Sequence, residues 1–315
     1  MVVADLGTGR HSVRRLPGIA PGDFPVPLLA VSDHLVYNGG RGVSAVASTL
    51  EGGVRVLGRA TYFVPSARVD QILLVRAGAK PGKAIQIQPV SVSSRRQSAK
   101  TVLPRGAGIV RGTDAGLLLI SPSGDLELWR AGHPARKLAH LGTTSADAGF
   151  ASDPRRVAYA TGCRIEEATS GFPRTPVGYD VCSMLHVVDV VTGRRRSYSA
   201  PPKTVGWVPN GFGLNNGLAP KGDMLAVEAA IPPVRKGRIR LFAVPIGGDR
   251  RAPIPVPSST ARLYARTAWS PDGAWLLYQG PRGRLSTFRP ATGAQHQSTL
   301  LCCKYTAMVA IRGTR

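Results

Sequence analysis

The sequence predicts an all-β chain, a β-propeller of four-stranded antiparallel sheets, and three observations predict it. Glycine and proline, 37 and 26 of 315 residues, fall every few positions, so few segments could sustain a long helix. Apolar residues come in short runs such as Leu117 to Ile120, Val187 to Val191 and Trp275 to Tyr278, lengths that suit strands. A turn followed by an apolar strand recurs along most of the chain.

The clearest copy of that unit is Ala268-Trp269-Ser270-Pro271-Asp272-Gly273-Ala274-Trp275-Leu276-Leu277-Tyr278. Proline presets φ for the turn, aspartate can bond its own backbone, and glycine takes the left-handed position. Degenerate copies run from Leu218 to Val227 and from Phe150 to Tyr159, with weaker ones at Gly112 to Leu119 and Val31 to Tyr37. Apolar strands at Gln71 to Val75 and Ala307 to Ile311 occupy the same place without the turn. A second element follows the first, an apolar strand ending in an Asp-x-x-Thr-Gly type hairpin: Val3 to Gly9, Val188 to Gly193 and Phe288 to Gly293. Ser121 to Trp129 and Leu241 to Gly248 read as its equivalents.

The first-type strands centre near residues 35, 73, 117, 157, 225, 276 and 309. Their spacing scatters about the roughly 40 to 45 residues of a four-stranded blade. The chain begins with an outer-strand element (Val2 to Gly9) and ends with inner strands (Leu300 to Ile311), so pairing of the two ends would complete one blade and hide the open edges. The expected architecture is therefore a single domain over residues 1–315 with seven blades, six or eight being the alternatives, and a loop insertion at 162–183 within one blade.

The Ser-Pro-Asp-Gly turn and the Asp-x-x-Thr-Gly turn resemble those of bacterial WD-repeat-like and TolB-like β-propellers. The resemblance implies scaffolding, ligand docking or a periplasmic or cell-surface role, in a fold that also hosts enzymes. The Trp-Asp signature of eukaryotic WD repeats is absent, so their partner-binding logic does not transfer.

Cys163 follows the strand Arg156 to Thr161 and Cys182 precedes the strand Met184 to Val191. If those strands are antiparallel neighbours, the cysteines face each other across a long connection, within disulfide reach. The alternative is two unrelated buried thiols. Adjacent Cys302 and Cys303 point to opposite faces of an extended strand, one inward and one outward. With neither Cys-x-x-Cys nor His-x-x-x-His present, the cysteines point to an oxidising, extracytoplasmic compartment instead of a metal site. The first residues lack a signal peptide, but Val2 to Gly9 already reads as mid-strand, so an upstream leader or anchor is expected. No run approaches the roughly 20 apolar residues of a membrane helix.

The net charge is +23, from 41 basic residues against 18 acidic ones. Its arginines lie singly or in short groups (Arg95-Arg96, Arg155-Arg156, Arg194-Arg195-Arg196, Arg250-Arg251), with no aromatic interleaving or nucleic-acid motif. They read either as a solvated basic surface or as attraction to an anionic partner. No Gly-x-Ser-x-Gly elbow or phosphate-binding glycine loop occurs, and Glu166-Glu167, the one adjacent carboxylate pair, reads as a solvated loop face. Trp129, Trp207, Trp269 and Trp275 read as packing between blades. Phe172 and Tyr179, aromatics on the long stapled connection, are the candidate partner-binding residues. The expectation is a monomeric, non-enzymatic binding or scaffolding module without cofactor or metal, for a protein or an anionic cell-surface polymer. A propeller hydrolase or lyase acting on an anionic glycan is the alternative.

Overall fold

The structure is a computed structural model and describes residues 2–4, 11–13, 28–39, 44–49, 53–76, 84–104, 106–141, 151–169, 176–209, 217–220, 223–247, 252–262, 267–280 and 284–301. The described residues form strands, with a 3-10 turn at Val234–Lys236 and no α-helix. The chain divides into two compact units, one built on the residues up to Ala107 and the other on Gly108–Ala310.

In the first unit, β1 (Val2–Ala4) and β2 (His11–Val13) form a two-stranded hairpin. Then β3 (Leu28–Val31), β4 (His34–Gly39), β5 (Ser44–Thr49) and β6 (Val54–Arg59) form an antiparallel sheet in chain order. A second such sheet holds β7 (Tyr62–Pro65), β8 (Gln71–Arg76), β9 (Gln86–Ser91) and β10 (Thr101–Val102). Leu29, Val36, Ala45 and Ala47 of the first sheet meet Phe63, Ile72, Leu74 and Val90 of the second in one buried cluster.

The second unit repeats the pattern. β11 (Gly108–Thr113), β12 (Gly116–Ile120), β13 (Asp125–Trp129) and β14 (Arg136–His140) make one sheet. Two successive meanders then merge into one sheet: β15 (Ala151–Ser152), β16 (Arg156–Thr169), β17 (Pro176–Asp189) and β18 (Arg195–Ser199), followed by β19 (Gly206–Val208), β20 (Met224–Ala230), β21 (Arg238–Pro245), β22 (Ile254–Pro255) and β23 (Ala261–Arg262). The join is the pairing of Cys182 with Trp207. β24 (Thr267–Trp269), β25 (Leu276–Gln279), β26 (Arg284–Arg289) and β27 (Ala294–Leu301) close the unit.

Strand periodicity explains the packing, because successive side chains leave opposite faces and each sheet serves two neighbours. On β16, Val157 and Tyr159 join Leu118, Leu126 and Leu128 of the preceding meander, whereas Ala158 and Ala160 join Leu225, Val227, Phe242 and Val244 of the next meander. On β20 and β21, Ala226, Leu241 and Ala243 turn the other way, toward Trp269, Leu276, Tyr278 and Phe288. Trp207 is fully buried with its Nε1 donating to the Tyr198 carbonyl at 3.1 Å, and Trp269 donates to the Gly217 carbonyl at 2.9 Å. Both polar tips are satisfied inside apolar packing.

The recurrent turn has the chemistry its residues imply. The Ser270 hydroxyl accepts the Trp275 amide at 2.9 Å, Asp272 accepts the Ala274 amide at 3.0 Å, and Gly273 sits at φ 70°. In the Asp189 to Gly193 hairpin, Asp189 accepts the amides of Val191 and Thr192 at 3.0 and 2.9 Å, and Gly193 sits at φ 74°. The strands centred near 35, 73, 117, 157, 225 and 276 are β4, β8, β12, β16, β20 and β25, the second strand of each meander. The hairpin at Asp189 joins third to fourth strands, as does that at Arg289.

Two expectations are corrected. Ser121 to Asp125 joins β12 to β13, second to third strand, so it is not equivalent to the Asp189 hairpin. Leu301 pairs with Arg284 and ends β27, so the residues around Leu300 complete a sheet instead of starting one. The expected closure partner and the strand near 309 lie outside the described residues, as do Cys302 and Cys303.

Candidate partner-binding site

The largest departure from the regular meander is the β16–β17 ribbon. Its ladder begins at Arg156 opposite Asp189 and runs to Thr169 opposite Pro176, well past the core pairing of Tyr159 with His186. Residues 162–169 and 176–183, expected within a loop insertion, therefore continue the two paired strands as the distal half of one antiparallel ribbon. Cys163 and Cys182 are directly opposed in it and form a disulfide, with Cα atoms 3.9 Å apart. Gly162, at φ 65°, takes a left-handed conformation at the start of this half, where a Cβ would lie 2.3 Å from the Ser183 hydroxyl.

The inner face of the ribbon has a small core of its own. Ala168, Tyr179 and Val181 pack with Val208, Ala230 and Ile239, flanked by Val205 and Val234. Tyr179 is 1% exposed and its hydroxyl donates to the Val234 carbonyl at 3.2 Å. Tyr179 therefore does not project toward a partner: on a strand, its phenol points down onto the 3-10 turn and ties the ribbon to the sheet below. Phe172 lies outside the described residues. Gly206 permits the close approach, because a Cβ there would sit 2.5 Å from Val181 Cγ1 and 2.8 Å from the Cys182 carbonyl oxygen.

The outward face presents Cys163, Ile165 and Glu167, all exposed, with Ile165 66% accessible. Glu166 accepts from Arg164 Nε at 2.7 Å, and on the strand Glu166 and Glu167 leave opposite faces, so the two carboxylates do not form the single solvated loop face expected of them. Ile165 is the residue that sequence reading missed. In a supposed loop, one apolar residue among charges carries no signal, and only the strand register turns it outward.

A second polar region lies where the β11–β14 sheet meets β15–β18. First-to-second-strand turns and third-to-fourth-strand hairpins fall at the same end of every meander, which brings the Asp153 turn beside the Asp189 hairpin. Arg155 Nε donates to Asp189 at 2.8 Å, and the Val190 amide to the Arg155 carbonyl at 2.9 Å. From β14, Arg136 donates to the Val190 carbonyl at 2.6 Å, bridging the two sheets. Leu128, opposite Arg136, and Val188, opposite Arg195, share one apolar cluster, so both arginines rise from the rim of the same seam. Below them His186 is held between the Thr161 hydroxyl at 2.7 Å and the Ser197 hydroxyl at 2.8 Å. Burial, then the Arg195 charge, lowers its pKa.

Burial also pulls the Arg111 guanidinium down to about 10, against the opposing charges of Asp153 and Asp114. Asp153 is raised by burial, although the amides of Arg155 and Arg156 bond it. Its Oδ1 lies 2.7 and 2.6 Å from those nitrogens, the geometry of a turn cap. The described residues contain no group of three or more His, Cys, Asp or Glu side chains placed to hold a metal ion. They also contain no helix long and apolar enough to cross a membrane.

No protein-family model and no curated protein matches the sequence. Solved structures do. The complex of KlAtg21 with the coiled-coil of AgAtg16 aligns at a TM-score of 0.50 and 13% identity, over 87% of this chain and 83% of that one. The β-propeller domain of Cps50 (Swd1) from Myceliophteria thermophila aligns at 0.46 and 15% identity, over 86% and 85%. The Pan2 WD40 domain of Neurospora crassa aligns at 0.45 and 9% identity, over 81% and 71%. At such identities the likeness concerns fold alone. Joined to the succession of four-stranded antiparallel meanders, it shows that this chain has an all-β propeller fold.

Proposed function

We propose that the chain is an extracytoplasmic binding or scaffolding module, a bacterial TolB-like propeller forming one seven-bladed domain over residues 1–315, that docks a protein or an anionic cell-surface polymer. The observation that carries the reading is the Cys163–Cys182 disulfide across the projecting ribbon. Such bonds persist in oxidising compartments and are rare where glutathione and thioredoxin keep thiols reduced. The distal half of the ribbon also extends beyond what the meander needs. Its inner face is anchored by Tyr179 and its outer face displays Ile165 beside charged residues, an arrangement suited to presenting a rigid edge to a partner. Docking of another protein on such a fold has a parallel in the KlAtg21 structure, solved with a coiled-coil bound.

The test is thiol trapping in the source cells. Alkylation before lysis, then reduction and a second label, should mark Cys163 and Cys182 only in the second step, in the fraction outside the cytoplasmic membrane. Labelling of both cysteines in the first step would overturn the compartment. Crosslinking from a photoreactive residue at position 165 should then capture a partner that a chain with the ribbon shortened to Thr161 and Met184 does not.

A further inference from the structure

We propose that the seam between β14 and β18 is a docking site for a phosphodiester polymer of the cell surface, gripped by Arg136, Arg194 and Arg195. This rests on the extracytoplasmic binding reading and names the polymer class and the site.

The argument begins with charge. The carboxylates of this end of the two sheets, Asp114, Asp153 and Asp189, lie among Arg111, Arg155 and Arg156, to which they couple directly or through their fields. None of these carboxylates forms an ion pair with Arg136, Arg194 or Arg195 among the described residues. Arg136 spends one Nη on the Val190 carbonyl, which fixes its position and leaves the rest of the fork exposed. Arg194 and Arg195 are exposed at the start of β18. Lys137, the next cation on β14, is bound to Asp125, and Asp125 alternates with Leu126 to the opposite face of β13.

Geometry then selects the partner. Arg136 and Arg195 stand on edge strands of two sheets, opposite Leu128 and Val188 of one shared cluster, so an extended ligand along the seam meets both. Guanidinium forks match phosphate oxygens bidentately and desolvate more readily than ammonium groups, and all the unpaired cations here are arginines. A linear polymer with a phosphate in every repeat satisfies three such groups without a shaped pocket. On the extracytoplasmic reading that the disulfide supports, wall polymers, not nucleic acids, are the abundant polyanions.

The experiment measures binding of the full chain to poly(glycerol phosphate) by fluorescence anisotropy across a salt series. Three phosphate contacts predict a log–log salt slope of about −2, by the single-strand coefficient. Arg194→Ser with Arg195→Ser should weaken binding about tenfold and bring the slope to about −0.7. Arg194→Lys with Arg195→Lys keeps the charge and should lose less. The control is Arg238→Ser with Arg240→Ser, exposed arginines near the other end of their strand, which removes the same charge and should change affinity less than about twofold. All variants should keep the parent melting temperature. Equal losses in the two double-serine variants would overturn the site, as would absence of binding at physiological ionic strength. Tighter binding of duplex DNA or of poly-glutamate would overturn the polymer class. Thiol trapping reads the compartment independently, so failure here leaves that result standing.

Discussion

Replacing Cys163 with serine isolates what the disulfide does, because Cys163 is exposed while Cys182 is fully buried in the cluster around Trp207. The substitution removes the cross-link without opening a cavity. The bonded cysteines are 19 positions apart. In the chain-entropy treatment, a loop of that size confers about 3 kcal/mol by restricting the unfolded chain. That figure is a ceiling, since the ribbon keeps its ladder from Arg156 to Thr169 and its anchor at Tyr179 when the bond is gone. A loss of about 2 kcal/mol would lower the melting temperature by roughly 3 °C for a chain of this size. Calorimetry on the parent protein with and without dithiothreitol, and on Cys163→Ser under both conditions, gives the assay. The parent should drop on reduction to the level of the variant, and the variant should not respond to reductant. Hydrogen exchange should accelerate first in residues 163–169 and 176–182, where the ribbon leaves the main sheet. A variant melting with the oxidised parent, or one that still responds to dithiothreitol, would refute the assignment of this staple.

Gly206→Ala should cost about 1 to 3 kcal/mol, because its Cβ would press on the Cys182 carbonyl, backbone that cannot swing aside, and urea denaturation reads the loss. Tyr179→Phe should cost about 1 kcal/mol through the lost bond to Val234, whereas Tyr179→Ala should cost about 3 kcal/mol or more and expose the ribbon to limited proteolysis. Lys137 and His140, the largest influences on Asp125, hold its carboxyl at about 2, below the ordinary range. A depressed carboxyl stabilises the fold above its unfolded value near 4 and ceases to do so as pH falls through about 2. Carbon-detected NMR titration should find this midpoint, and Lys137→Ala should raise it.

The regular part of the fold was legible because local chemistry decides it. Pro-Asp-Gly turns and Asp-x-x-Thr-Gly hairpins act over four or five residues, so each marked its strand without knowledge of its neighbours. The wrong assignment of Ser121 to Asp125 has the same origin. Its hydroxyl, glycine and carboxylate bonds resemble those of the other hairpins, and only sheet register shows which strands it joins. The extension of β16 and β17 was hidden for a different reason. Gly162 interrupts the apolar alternation, and beyond it one face packs on a 3-10 turn more than 50 residues further along the chain, a contact no local pattern records.

The arginines show the opposite limit. In sequence, Arg136, Arg155 and Arg194-Arg195 are separate groups scattered over some 60 positions, which is why they read equally well as a solvated surface. The meander collects them, because strand 1–2 turns and strand 3–4 hairpins lie at one end of every sheet and neighbouring sheets share an apolar seam. Their carboxylates are collected too, yet Asp114, Asp153 and Asp189 bond turn amides or sit beside buried Arg111, so they cannot also neutralise the rim. The uncompensated charge is thus a consequence of which aspartates the turns require. A change that moved a carboxylate to the rim without disturbing a turn, Ser197→Asp on β18 beside Arg195, should keep the fold and weaken polyanion binding several-fold. Undiminished affinity in that variant would mean that these arginines are surface charge and nothing more.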